Sequence, residues 1–363
     1  MSETAPVSDD QARDALVERL FLATVGTLEL YSVYLGWRLG LYGALRDTGP
    51  LTPDELATGA GIDSRYAREW LEQQAVAGLI EVADADDDPA QRRYGLPLGH
   101  AEVLTEPSSS VHVAPFAPMV VGVAGALPEV VEAYRTGAGV PYANYGTDFR
   151  DGQGGINRPA FEHELAGWVE AIPDVHARLQ TEPPARVADL GCGQGYSTLA
   201  LARAYPTAHI VGVDVDAASI ADARQLADGS DPTAEFTVGD AAGLVDSGPY
   251  DLVCVLEALH DMAYPVEVLA ATRAALGPNG AVLIADERVA DAFAAPGDEV
   301  ERIMYGWSVA HCLPSSRTEP HSAALGTVLR AGTVRELAAA AGFSSVDVLP
   351  VENDFFRLYS LRP

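Results

Sequence analysis

One stretch of the 363-residue chain is densest in chemistry: Val187-Ala188-Asp189-Leu190-Gly191-Cys192-Gly193-Gln194-Gly195-Tyr196-Ser197. An apolar run delivers an acid, glycines follow at every second position, and a helical run starts at once. Glycine serves where backbone turns sharply or comes close to a ligand. Dinucleotide-binding turns space their glycines as Gly-x-Gly-x-x-Gly, which sets a pyrophosphate on a helix N-terminus. Here Gly195 comes one position early, and Asp189 precedes the turn. A carboxylate there repels a pyrophosphate but suits a cationic ligand with an ammonium group. Nineteen residues after Gly195, Val211-Gly212-Val213 ends in Asp214, followed by Val215. A carboxylate at that point can bind both hydroxyls of a ribose. Asp240, in Val238-Gly239-Asp240-Ala241, is within reach of an adenine amino group, and Glu257 closes a fourth apolar run. Four acids at the carboxyl ends of four successive strands predict one crevice, the place where open α/β sheets bind ligands.

The elements that must position these acids are legible as well. From Ala185 onward short apolar runs alternate with helical stretches, the pattern of a parallel α/β sheet. Candidate strands are 186–190, 208–213, 234–238, 250–256, 281–286, 345–350 and 355–361. They predict one seven-stranded, doubly wound, Rossmann-like sheet. Upstream, apolar positions from Gln11 to Leu45 recur at helical spacing, with Gly36, Gly40 and Gly43 loosening the end. Thr52-Pro53-Asp54-Glu55 is a capping box with proline at the first helical position. Asp63 opens a second helix through Trp70 and Leu71, and two short strands flank an acidic turn. Helix, turn, helix, hairpin is the winged-helix order. The expected domains are a winged-helix dimerisation domain over 1–107, a helical connector or substrate cap over 108–182, and the Rossmann-like domain over 183–363. Gly137 to Gly155 reads as glycine-rich punctuation within the connector, with the loop-like aromatic segment Tyr142–Tyr145 as a lid.

Taken together, Asp189-x-Gly191-x-Gly193-x-Gly195, Asp214, Asp240 and the strand before Glu257 resemble the motif series of class I S-adenosylmethionine-dependent methyltransferases. The resemblance implies that Asp189 and the glycines border the methionine part, Asp214 holds the ribose, and Asp240 with Ala241 meets the adenine. The order of winged helix, helical connector and core is similar to the small-molecule O-methyltransferases, in particular a bacterial branch. Gly146, Asn157-Arg158-Pro159 and Cys312-Leu313-Pro314 stand in the surrounding segments. In that family a His-Asp pair after the fourth strand supplies a general base, and an acid after the fifth orients it. By position these are His260-Asp261 and either Asp286 or Glu287.

The chemistry supports that carry-over. Methyl transfer from a sulfonium needs alignment, exclusion of water and removal of one proton. A phenol is mostly neutral at pH 7, so a histidine poised near neutrality can take its proton. The plainer reading of His260 is a cap for the helix after the fourth strand. Tyr142, Tyr145, Tyr305 and His311 are candidates for the acceptor pocket, or ordinary core.

Composition narrows the alternatives. All 23 basic residues are arginine, against 52 acids, for a formal net charge of −29. With no lysine, a Schiff-base enzyme and a lysine-dependent phosphate loop are excluded; the metal-dependent mechanism of catechol-type enzymes, which needs an acid and amide cluster plus a lysine, is not expected, and neither is a metal. The negative field argues against nucleic acid and anionic membranes. On the winged helix, Arg65 and Arg68 are offset by Asp63, Glu69 and Glu72, and the wing carries Asp84, Asp86, Asp87 and Asp88. Three dispersed cysteines predict free thiols. No run of 18 apolar residues and no secretory leader is evident, which predicts a cytoplasmic protein. The expectation is a homodimeric methyltransferase that uses S-adenosyl-L-methionine on a small-molecule hydroxyl, aromatic or polyketide-like, with His260 as base. The alternatives are N- or C-methylation, a cofactor-binding winged-helix regulator, and a non-methylating enzyme that uses the same cofactor.

Overall fold

Thr52 starts a helix as its sequence requires. Its hydroxyl accepts from the Glu55 N–H at 3.3 Å, while the Glu55 carboxylate accepts from the Thr52 N–H at 2.9 Å. Two of the donors left over at a helix start are thereby satisfied, typically worth about 1 kcal/mol. The structure, a computed structural model, describes residues 8–85, 88–228 and 234–363. It divides into two compact units, Met1–Val121 and Gly122–Pro363.

The first unit orders α1 (Asp9–Arg38), α2 (Leu41–Thr48), α3 (Pro53–Ala60), α4 (Ser64–Val76), β1 (Glu81–Asp84), β2 (Arg93–Gly95) and α5 (Leu98–Thr105). The predicted long helix breaks at Gly40, at a φ of 68°. Asp63 caps α4 by accepting from the Arg65 and Tyr66 N–H groups. The hairpin β1–β2 is antiparallel, and Leu51 bridges to Tyr94 beside it. Leu41, Tyr42, Leu45, Leu56, Leu71 and Tyr94 form its core. On α4 the two arginines are engaged within their own helix, Arg65 with Glu69 and Arg68 with Glu72. Of the four wing aspartates, Asp86 and Asp87 lie outside the described residues.

The division between units falls inside α6 (Phe116–Thr136). Then come α7 (Gly146–His163), α8 (Leu165–Glu170), α9 (Pro173–Leu179), β3 (Arg186–Leu190), α10 (Tyr196–Ala204), β4 (His209–Asp214), α11 (Ala217–Ala227), β5 (Glu235–Val238), α12 (Ala242–Ser247) and β6 (Tyr250–Leu256). The chain ends with α13 (Pro265–Ala275), β7 (Leu276–Glu287), α14 (Glu299–Trp307), α15 (Leu313–Ser316), α16 (Ala331–Ala340), β8 (Ser345–Val348) and β9 (Phe356–Arg362). Strand order is β5-β4-β3-β6-β7-β9-β8. Pairings from β5 through β7 are parallel, and those of β9 are antiparallel. Order reverses between β3 and β6, the switch point at which such sheets bind ligands. Neighbouring residues face opposite layers: Val187, Leu252 and Leu283 pack with Trp168 and Leu179, whereas Ala188, Val253 and Val282 pack with Leu269 and Val334. Burial on both faces explains why β6 and the end of β7 read as continuous apolar runs.

One expectation is corrected. The glycine-rich segment is the helix α7 with a 3-10 turn, Tyr142–Tyr145, before it. Each interior glycine costs a helix about 1 kcal/mol relative to alanine, but a Cβ on Gly154 would run into the Gln194 amide. Glycine there lets α7 approach the β3–α10 turn without displacing the Gln194 side chain. Among the described residues two helices, Asp9–Arg38 and Phe116–Thr136, are long and apolar enough to cross a membrane by length and composition alone, although neither is a pure apolar run. Phe116–Thr136 is the more buried of the two. Cys192, Cys254 and Cys312 are buried free thiols.

Candidate active site

The turns that follow β3, β4, β5 and β6 converge on a cavity of about 580 Å³. Gly191, Gly193 and Gly195 all sit at positive φ (78°, 51° and 83°), where only glycine is unstrained. A Cβ on Gly191 would come 2.7 Å from Ala258, and one on Gly195 would come 2.6 Å from the Phe236 ring. A Cβ on Gly193 would meet nothing within 4 Å. Gly193 lines the cavity, so the space it leaves is space for a ligand.

Asp189 and Gly195 do not line the cavity. Asp189 is buried beneath the turn and accepts from the Ser197 and Thr198 hydroxyls, each at 2.6 Å, which ties the start of α10 to β3. Burial pushes its carboxyl up to about 6 against those bonds. Asp214 does line the cavity, accepting from the Gly193 N–H and the Asp216 N–H, both at 2.8 Å. A carboxylate offers about four acceptor sites, so acceptor capacity remains for a ligand. Val215 stands exposed in the lining, and Asp240, capping Ala242 at 3.0 Å, lines it beside Ala241. Glu257 lines it from a residue at φ 50° and accepts from the Asn157 amide. Burial, with Asp286 adding to it against the pull of His260, raises the Glu257 carboxyl to about 7.

His260 sits in a 3-10 turn, Leu259–Asp261, and does not cap α13, whose cap position is Tyr264. It is buried and outside the cavity lining, whereas its neighbour Asp261 is in the lining. Its Nδ1 lies 3.0 Å from Asp286 Oδ1 and 3.5 Å from Glu287 Oε2, and its Nε2 lies 3.6 Å from Asp261 Oδ1. Asp286 is thus the hydrogen-bonded acid. Burial works against a charged ring, but the carboxylates of Glu287, Asp286 and Asp261 outweigh it and hold His260 well above the usual imidazole range. Burial likewise lifts Glu287 well above the usual carboxyl range. It would lift Asp286 too, yet the His260 charge and hydrogen bonds hold that group below its ordinary value. Two triads of donor atoms lie within 4.8 Å of one another, His260-Asp261-Cys312 and His260-Asp286-Glu287.

Of the acceptor candidates, Tyr142 lines the cavity. His311 is buried beside it, stacked on Phe149 at 4.0 Å and edge-on to Tyr145 at 4.4 Å, and burial lowers its pKa to about 4. Tyr145 donates to the Ala310 carbonyl at 3.0 Å and is buried too. Tyr305 lies elsewhere, beside Arg330 on α14. Arg150 was not foreseen: it lines the cavity and its Nε donates to Asp222 Oδ2 at 2.8 Å. Gln194 donates to Asp151 and Asp222 alongside, so α7 is fastened to the glycine turn. The available signal was that Arg150 is the only basic residue between Arg135 and Arg158.

A doubly wound sheet with its ligand crevice at the switch point defines a broad class of cofactor-binding domains. Comparison narrows the class. Residues 182–326 match the family model described as Methyltransferase domain, and residues 27–106 match the Rv2258c-like winged HTH domain. The chain therefore carries a methyltransferase domain behind a winged helix-turn-helix domain. Trans-aconitate 2-methyltransferase of Methylobacterium nodulans is 34% identical over 111 residues, 31% of this chain and 42% of that protein. The chain spans about two fifths of the length of the curated relatives it matches. Human N-acetylserotonin methyltransferase, solved in complex with SAM, superposes with a TM-score of 0.72 at 17% identity, covering 99% of both chains. Mitomycin 7-O-methyltransferase superposes with a TM-score of 0.66 at 18% identity over 97% of this chain and 99% of that one. These likenesses show an O-methyltransferase-like fold.

Proposed function

We propose that this protein is an S-adenosyl-L-methionine-dependent methyltransferase that transfers a methyl group to a hydroxyl of a small molecule, with His260 as general base. The observation that carries the reading is the convergence of Gly193, Asp214, Asp240 and Glu257 on one cavity beside the buried His260–Asp286 pair. The cavity fits the cofactor on its own terms: an open glycine position, a carboxylate with free acceptor sites, and an exposed valine for a flat apolar face. Its acidic lining rejects a pyrophosphate.

S-adenosylmethionine supplies, when bound, a methyl group already activated on a sulfonium. Asp214 would receive the ribose hydroxyls, Val215 and Ala241 would flank the adenine, and Asp240 would accept from its amino group. Glu257 is the counter-charge next to the glycine turn, the role the sequence suggested for Asp189. Asp189 supports the turn instead. His260 receives the acceptor proton at Nε2, while Asp286 at Nδ1 fixes the tautomer and stabilises the charged ring. Asp261, between His260 and the cavity lining, is the side chain the proton must pass. The account uses no metal, so chelation leaves turnover unchanged.

His260→Ala is the test. Acceptor-dependent formation of S-adenosylhomocysteine, measured with a pool of small phenols, should fall by about 10²–10⁴. Activity within about threefold of wild type rejects the base assignment and favours transfer to a nitrogen or carbon that needs no such base. The same reading includes a homodimer formed through α1, whose Leu16, Leu20, Phe21 and Leu28 are exposed.

A further inference from the structure

Asp222, on α11, is none of the residues assigned above to the cofactor, and it does not line the cavity. Yet two side chains that do line it end on its Oδ2: Arg150 of α7, through Nε at 2.8 Å, and Gln194 of the glycine turn, through Nε2 at 3.2 Å. The same Gln194 nitrogen donates to Asp151 of α7 at 3.0 Å. Gly154 of α7 leaves the room that the Gln194 amide oxygen occupies. Three elements, α7, the β3–α10 turn and α11, therefore meet at one carboxylate and one amide.

These contacts reach the ligand space from two sides. Arg150, Gln153, Gly154, Asn157 and Phe161 line the cavity at the spacing of a single helix face, so α7 is one of its walls. The glycine turn is another. Gly193, next to Gln194, donates its N–H to Asp214 at 2.8 Å. Asp214 also accepts from the Asp216 N–H, and Asp216 caps α11 by accepting from the Ser219 N–H at 2.9 Å and its hydroxyl at 2.7 Å. A closed circuit thus runs from Asp214 through Gly193 and Gln194 to Asp222, and back along α11 through Asp216. Linked polar contacts of this kind hold one another in place. The Arg150–Asp222 pair is the link that ties the α7 wall to the circuit. Its side chains are 15% and 35% exposed, so it is better shielded than a surface pair and still open to salt.

Resting on the reading of this cavity as the cofactor site, we infer that Asp222 is a positioning residue for the cofactor. Through Arg150 and Gln194 it holds the α7 wall against the glycine turn, and so sets how long the adenosyl ligand stays bound. Asp222 touches nothing that reacts; its effect passes through the two side chains it holds.

Dissociation of S-adenosylhomocysteine from the full chain, followed by surface plasmon resonance, tests the inference. Asp222→Asn keeps the shape of the side chain and removes its charge, and dissociation should speed up by about three- to tenfold. In an Arg150→Met background the same substitution should change the rate by less than about twofold, because the pair it breaks is already gone. Raising salt should speed release from the wild type and do less in Asp222→Asn. The ligand-free variant should unfold at nearly the wild-type urea concentration, which a merely structural role would lower. An unchanged dissociation rate in Asp222→Asn, additive effects of the two substitutions, an equal salt response in both proteins, or a urea midpoint that falls along with ligand affinity would overturn the inference. If S-adenosylhomocysteine does not bind the wild type, the cofactor reading fails with it; if it binds and leaves Asp222→Asn at the wild-type rate, only the positioning role fails.

Discussion

The charge on His260 is set by the acids around it, and this decides the pH at which it can act as a base. Asp286 bonds Nδ1 at 3.0 Å, and Glu287 and Asp261 stand close by. Their charges raise the imidazole well above its usual range, so the ring stays protonated to higher pH than a free histidine. Only the neutral ring accepts a proton, so kcat/KM should rise with pH through a limb above the ordinary histidine value of about 6.5. Asp286→Asn removes one of the charges that raise it. The limb should then move to lower pH while the plateau falls by about 10². A pH–rate profile whose limb stays in place in this variant would contradict the arrangement. At this scale the sequence exposed the identities of His260, Asp286 and Glu287 but not the choice between the two acids. That choice depends on side-chain geometry at the end of β7. Asp189 was legible as an acid before a glycine turn, yet its burial beneath Ser197 and Thr198 follows from packing that spacing does not encode.

Three glycines in the β3–α10 turn share positive φ but serve different ends. Gly195→Ala would drive a Cβ to 2.6 Å from the Phe236 ring, and overpacking with strained backbone should cost about 1–3 kcal/mol in urea unfolding. Gly193→Ala meets no protein atom. It should cost about 1 kcal/mol for backbone strain and weaken S-adenosylhomocysteine by at least about tenfold, because the methyl group enters the ligand's space. Equal stability losses with unchanged ligand affinity in both variants would refute the division. The central strands were readable because they are built on apolar runs, such as residues 252–256 in β6 and 281–285 in β7. The helix α7 was not readable, since glycines at 152, 154 and 155 mimic a loop. Of these, Gly154 packs against Gln194, a contact 40 residues distant in sequence.

At the scale of the whole chain, α1 carries a run of exposed apolar side chains. Phe21 is 67% exposed and Leu20 60%, and monomeric proteins rarely leave such contiguous surface to water. Sedimentation equilibrium at micromolar concentration should show a dimer, and the double variant Leu20→Glu with Phe21→Glu should sediment as a monomer. A monomeric wild type would remove this part of the proposal. The lack of lysine and the net charge of −29 give the molecule a negative field, and on α4 Arg65 and Arg68 are paired with glutamates of the same helix. With this charge distribution we expect no salt-dependent binding of duplex DNA, which a titration at low ionic strength would check. Titration of S-adenosylhomocysteine into the wild type and into Asp214→Ala, by calorimetry, reaches the core of the proposal. Binding in the micromolar range that weakens by at least about tenfold in the variant is the expected result. No binding to the wild type, or equal binding to both proteins, would show that the cleft above β3 and β4 was not built for an adenosyl group.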